Sequence, residues 1–114
     1  MKEVIIFINH ILENIKDIES FTTDLSKEDF FKNKEKQNAI IRSLEVIGEA
    51  VKNIPNEFRA QHPEVEWKEA AGTRDKIIHH YFGVNLETVW EIVTVNLPKL
   101  KQQMLKIKKE AEKQ

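Results

Sequence analysis

Cysteine is absent from the sequence, and glycine and proline occur only three times each in 114 residues. The lack of cysteine excludes disulfides, thiolate zinc sites and cysteine nucleophiles, and it favours a reducing compartment, which we expect to be the cytoplasm. Because so few residues interrupt the chain, the apolar positions recur at helical spacing over long stretches. The sequence therefore predicts an all-α protein.

A strong net charge is also missing, since 18 basic and 19 acidic side chains give a formal charge of −1. The protein as a whole does not attract nucleic acid, so any contact with RNA must be local. The best local candidate is a group of C-terminal lysines, although such cations also suit the dipole at a helix end. They are Lys99, Lys101, Lys106, Lys108, Lys109 and Lys113.

No apolar run is long enough to predict a membrane span. The apolar residues 4–8 are soon followed by Asn9, His10 and Glu13, which makes the run too short for a signal peptide as well. We expect a single domain over residues 1–114 without membrane contact, because a chain of this length buries one core.

Apolar residues spaced alternately by three and four predict three long amphipathic helices, over residues 4–18, 33–54 and 85–107. Pro98 lies inside the third and removes one backbone hydrogen bond, which predicts a bend near Thr94. Together with shorter helices, these elements predict an antiparallel helical bundle. Seams this regular favour a homodimer, and a monomer with a wide core is the alternative.

Shorter helices are predicted between the long ones. Ser26 and Asp29 form a capping pair that starts a helix over residues 27–31. The prolines on either side of residues 56–61 predict another short helix. A further helix is predicted over residues 67–81, and it should end there because Gly83 follows two positions after Tyr81.

The helix over residues 67–81 carries side chains suited to chemistry. At about 100° per residue, Arg74 falls in its apolar stripe, where a charge needs a partner or a cleft, and Tyr81 lies on nearly the same line. Asp75 precedes His79 by one turn, so its carboxylate favours the charged imidazole and fixes a tautomer. The structural alternative is an arginine paired with a glutamate of another helix and a satisfied, partly buried histidine.

Arg74 and His79 are separated by about 140° around one helix, so a single helix does not aim both at one point. Two such helices related by a two-fold axis would aim an arginine and a histidine at the same point. We therefore expect a composite cleft at a dimer interface. His80 is predicted to face solvent. We predict no metal site and no cofactor, because the sequence contains no H-E-x-x-H spacing, Gly-rich phosphate loop or serine nucleophile motif.

The series Arg74, Asp75, His79 and Tyr81 resembles the signature of the HEPN superfamily, in its HepT-like branch. The flanking segments resemble the same branch in order, so that the resemblance covers nearly the whole chain. They are IRSLEVIGEA at residues 41–50, WKEAAG at 67–72, YFGVN at 81–85 and VWEI at 89–92.

The resemblance implies a HEPN-like bundle that dimerises about the motif helix and acts as a metal-independent ribonuclease, the toxin of a type VII-like toxin-antitoxin pair. His79 would take the proton from a ribose 2′-hydroxyl or protonate the leaving oxygen, while Arg74 would stabilise charge on the phosphate. Asp75 would orient His79. Many HEPN nucleases have asparagine at that position, and aspartate adds a negative charge beside the phosphate.

The resemblance also implies a partner, a minimal nucleotidyltransferase antitoxin of the MntA type, which silences the toxin by transferring AMP from ATP to the tyrosine of the motif. In this sequence that residue is Tyr81, the only tyrosine. An anionic adduct there would block access of RNA phosphate to Arg74. The alternative function is a non-catalytic helical dimer that binds and positions the nucleotidyltransferase.

Overall fold

The computed structural model describes residues 2–77 and 83–113. The predicted all-α class is confirmed, and one π-helical turn, Ile92–Asn96, joins the last two helices. The helices are α1 (Lys2–Thr22), α2 (Lys27–Lys32), α3 (Lys34–Lys52), α4 (Asn56–Gln61), α5 (Trp67–Ala71), α6 (Thr73–Ile77), α7 (Leu86–Glu91) and α8 (Leu97–Glu112).

The bundle is built on α1, which packs against α3 and against α8. Helices α1 and α3 run antiparallel: the Lys36 ammonium near the start of α3 lies 5.8 Å from the ring centre of Phe21, near the end of α1. At the start of α8, Lys101 forms a 2.8 Å ion pair with Glu19 of α1. The predicted seam of α1 is buried throughout, at Val4, Ile8, Ile11, Ile15 and Ile18.

Side-chain caps fix where three helices begin, because each cap accepts a hydrogen bond from an otherwise unpaired backbone N–H. Ser26 accepts from the Asp29 amide at 3.0 Å, as the capping pair predicts. Asn33 and Asn85 cap α3 and α7 in the same way. The short helix that Ser26 starts buries Phe30.

The third long helix is distorted where the proline predicts it. The π-helical turn includes Thr94, and Pro98 lies in the first turn of α8. Proline offers no N–H for the preceding turn, and a π-helical turn is one way for a helix to absorb that loss. Within the described part of the chain, no helix is both long and apolar enough to cross a membrane.

The helix predicted over residues 67–81 is interrupted, and in this respect the prediction is wrong. Gly72 separates α5 from α6. The Thr73 hydroxyl donates to the Ala70 carbonyl at 2.9 Å, a local bond that competes with regular helix, and glycine itself is a weak helix former. Arg74 does not lie in an apolar stripe, because the buried side chains of α6 are Thr73 and Ile77, one turn apart, and Arg74 is exposed beside them.

Candidate functional site

Arg74 projects from α6 toward α3 and is largely exposed. Its Nε lies 3.3 Å from Oε2 of Glu45, and the side chains of the two residues are 65% and 30% exposed. The structural alternative drawn from the sequence, an arginine paired with a glutamate of another helix, therefore describes this contact. The contact involves one edge of a guanidinium that still faces solvent, so Arg74 can also approach an anion.

A groove of about 400 Å³ lies beside Arg74, between α1, α3 and α6, and we call it the Arg74 groove. Its volume is within the range of about 300 to 1,000 Å³ that is usual for small-ligand sites. The side chains that give it chemical character are Phe7, His10, Arg42, Glu45, Glu49 and Arg74.

Gly48 allows α3 to lie close to the end of α5, and α6 follows directly from there. A Cβ added to Gly48 would lie 3.3 Å from the Ala71 carbonyl oxygen, tighter than most van der Waals contacts. The close approach sets the first turn of α6 beside α3, and this is what brings Arg74 to Glu45.

The groove combines a second guanidinium with aromatic rings. Arg42 is exposed, and no acidic side chain of the described residues lies within ion-pair distance of it. The rings of Phe7 and His10, one turn apart on α1, meet edge to face at 6.4 Å between centroids and 76° between planes. Charge, hydrogen-bond acceptors and apolar ring surface are thus present within one concavity.

The other motif residues lie only partly within the described residues. His79, His80 and Tyr81 fall within residues 78–82, outside the described residues, so their predicted roles stay predictions. Asp75 is exposed on α6, and its predicted contact with His79 stays a prediction as well.

The sequence did not predict that α1 and α3 contribute to the site. The sequence nevertheless contains a sign of each contribution, since residues three apart share a helix face. Phe7 and His10 have this spacing on α1, and Arg42 and Glu45 have it on α3. What the pattern could not supply is which polar faces of different helices lie together.

A second concavity, which we call the apolar cavity, lies between α3, α5, α6, the π-helical turn and α8 and measures about 210 Å³. Its polar rim is paired internally, with Lys99 3.6 Å from Glu66 and Lys76 3.7 Å from Glu69. The pKa of Glu66 is lowered, first by a side-chain hydrogen bond with Glu69 and then by the Lys99 ammonium.

Two of the C-terminal lysines considered for RNA contact take part in ion pairs, Lys99 with Glu66 and Lys101 with Glu19. These contacts favour the structural interpretation of both residues. Among the residues that the structure describes, no three His, Asp or Glu side chains are grouped so that they could hold a metal ion.

Comparison with known proteins gives consistent matches. The HepT-like ribonuclease family matches residues 11–107. The chain is 55% identical over 97 residues to a "Putative RNase" of Methanocaldococcus jannaschii, covering 85% of this chain and 80% of that protein. It is 48% identical over 103 residues to the "Probable ribonuclease HepT" of Thermococcus cleftensis, covering 90% and 94%.

A further relative in M. jannaschii is larger. It is named "Gamma-glutamylcyclotransferase and putative RNase", and the chain is 50% identical to it over 112 residues. The match covers 98% of this chain but spans only 50% of that relative's length. No solved structure matches the chain.

Proposed function

Because this chain belongs to the HepT-like ribonuclease family, we propose that it cleaves RNA without a metal ion, using Arg74 and His79. The observation that carries the proposal is the exposed Arg74 guanidinium beside a groove large enough for a nucleotide, in a chain matched by the family over residues 11–107. The activity proposed is that of an RNA-cleaving toxin.

In the proposed reaction the ribose 2′-oxygen attacks the adjacent phosphorus, and the bond from phosphorus to the 5′-oxygen breaks. His79 takes the proton of the 2′-hydroxyl or gives a proton to the leaving 5′-oxygen. Arg74 stabilises the extra negative charge on the phosphate oxygens, a role that a guanidinium can fill without a metal. Asp75 orients His79.

The contact with Glu45 suits this role of Arg74. The carboxylate lies 3.3 Å from Nε, and a guanidinium has further N–H donors on its terminal nitrogens, so the exposed Arg74 side chain has donors left for a phosphate. A homodimer in which two motif helices face each other would supply His79 to the same phosphate, and we propose that arrangement as the active form.

The catalytic assignment is tested by Arg74→Ala and His79→Ala in an RNA cleavage assay with EDTA present. Removal of one group that stabilises a transition state costs about 10² to 10³ in rate. We expect at least that loss in both variants, with unchanged far-UV circular dichroism and melting temperature. His80→Ala is the matched control and should retain activity. Equal cleavage by the wild type and both variants would exclude the assignment.

Silencing is proposed to occur at Tyr81, through AMP transferred from ATP by a minimal nucleotidyltransferase partner. Co-expression with such an enzyme should add AMP units to the peptide that contains Tyr81, as measured by mass spectrometry, and should restore growth. Tyr81→Phe should receive no AMP and should not be silenced. Restored growth with unmodified Tyr81 would instead support inhibition by binding alone.

A further inference from the structure

We propose that the Arg74 groove binds the nucleotide next to the scissile phosphate of a single-stranded RNA. In this arrangement the Phe7 and His10 rings hold the base and Arg42 holds the outer phosphate. The inference rests on the proposed function and deepens it, because it assigns substrate contacts to α1 and α3, outside the motif segment.

The proposed base site is formed by the Phe7 and His10 rings. The two lie 6.4 Å apart at 76°, so they form the corner of a concavity whose volume is about 400 Å³. Aromatic side chains stack on any base through its π-face, and single strands are recognised in this way because their bases are unpaired. His10 is exposed, so its ring is accessible to a base from solvent.

The proposed phosphate site at Arg42 is supported by a difference between the two arginines of the groove. Arg74 is paired with Glu45, whereas Arg42 has no acidic side chain within ion-pair distance among the described residues. Cleavage requires one guanidinium at the scissile phosphate. A second, unpaired one in the same groove suits a ligand that repeats its phosphates, and phosphate contacts are what positions a nucleic acid strand.

The carboxylates of the groove favour a nucleotide over an acidic peptide. Glu45 and Glu49 balance the formal charge of Arg42 and Arg74, so the groove as a whole does not select for negative charge alone. A nucleotide offers hydrogen-bond donors on its base beside its phosphate, and these can meet Glu49. An acidic peptide side chain offers no donor and would be repelled by Glu49.

The test measures binding of a short single-stranded RNA with 2′-O-methyl riboses, which cannot be cleaved, by fluorescence anisotropy at several salt concentrations. Arg42→Ala should weaken binding about fivefold or more and lower the slope of log Kd against log salt by about 0.7, the value for one lost phosphate contact on a single strand. Lys34→Ala is the matched control, since it removes an exposed cation from the same helix outside the groove.

The base site is tested by a pair of variants at His10. His10→Ala should weaken binding about fivefold or more, as expected for the loss of one stacking ring. His10→Phe keeps a ring and should bind close to the wild-type value. The same RNA in a duplex should bind more weakly, because its bases are not available for stacking.

The inference is overturned if the wild type does not bind the RNA, if Arg42→Ala keeps the wild-type Kd and salt slope, or if His10→Ala binds as well as His10→Phe. Its failure is distinguishable from that of the proposed function. Cleavage of ordinary RNA that is insensitive to Arg42→Ala and His10→Ala overturns the inference alone. Binding that depends on both residues, without cleavage by the wild type, supports the inference and overturns the proposed function.

Discussion

The Arg74 groove and the apolar cavity share two helices, α3 and α6, and neighbouring residues of α3 line different concavities. Leu44 is 1% exposed and lines the apolar cavity, whereas Glu45 is 30% exposed and lines the groove. On α6, Thr73 and Lys76 face the cavity and Arg74 faces the groove. The same short segments therefore serve the core on one side and the proposed chemistry on the other.

The two concavities also differ in how their charges are arranged. At the apolar cavity both acidic residues have a lysine within 4 Å, in the pairs Glu66 with Lys99 and Glu69 with Lys76. In the groove, Arg42 lacks such a partner among the described residues. The charges at the apolar cavity already have partners of opposite sign, so a charged ligand would add little there. The unpaired guanidinium of Arg42 can form new charge-assisted hydrogen bonds with an anionic ligand. The comparison assigns stability to the first and binding to the second.

The assignment of stability to the apolar cavity is tested by a substitution at Leu44, where the largest effect is expected. Leu44→Ala removes a buried side chain from the wall of the apolar cavity, and such changes cost about 2 to 5 kcal/mol of unfolding free energy. Chemical denaturation measures the loss, and the folded fraction should still bind RNA like the wild type. Leu105→Ala, at a leucine that is 43% exposed, is the matched control and should cost far less.

An equal loss of stability in Leu44→Ala and Leu105→Ala would contradict the burial that defines the cavity wall. If Leu44→Ala had the wild-type free energy of unfolding but lost RNA binding, the assignment of stability to the apolar cavity and of binding to the Arg74 groove would be contradicted.

A smaller effect is expected at Glu45, the next residue along the chain. Glu45→Gln removes the carboxylate that holds Nε of Arg74, so we expect cleavage to fall a few-fold. Stability should change by no more than about 1 kcal/mol, because the Arg74 side of the pair is 65% exposed and water screens the interaction. Glu87→Gln is the matched control: it breaks an exposed pair with Lys27, at 2.8 Å, that lies outside the groove. Unchanged cleavage by Glu45→Gln would show that Glu45 does not position Arg74.

Helix periodicity and capping predict most of the fold, because each depends on residues a few positions apart. The buried seam of α1 and the caps at Ser26 and Asn85 follow from such local rules. The break at Gly72 does not follow from them, since a single glycine inside an apolar pattern is compatible with a continuous helix.

The candidate site is less predictable for a related reason. The motif supplied Arg74, but the residues around it come from α1 and α3, and the approach of Arg74 to α3 depends on the close contact between α3 and the end of α5 that Gly48 permits. A pattern within one helix identifies its polar face and does not say which other polar face lies opposite. His79 and Tyr81 lie outside the described residues, so their part of the site is predicted by the motif alone.

The smallest effect is expected at Glu66, on the rim of the apolar cavity. Its pKa is lowered below the ordinary value of 4.5, by a hydrogen bond with Glu69 and then by the Lys99 ammonium. A carboxyl whose pKa is lower in the folded state contributes stability above its unfolded pKa, and this contribution is lost as the pH falls through the folded pKa. Because more than half of the Glu66 side chain is exposed, the contribution is screened by water.

Glu66→Gln should therefore leave the melting temperature at pH 7 close to the wild-type value and should not change RNA cleavage. The difference in melting temperature between the two proteins should shrink further as the pH falls through the lowered pKa of Glu66, because the wild-type carboxyl then becomes neutral as well. Glu87→Gln, which also removes one negative charge from an exposed pair but lies outside the apolar cavity, is the control for a general charge effect. A loss of cleavage in Glu66→Gln, with the melting temperature unchanged, would show that the rim of the apolar cavity also serves the reaction, and the two concavities would then have to be treated as one site.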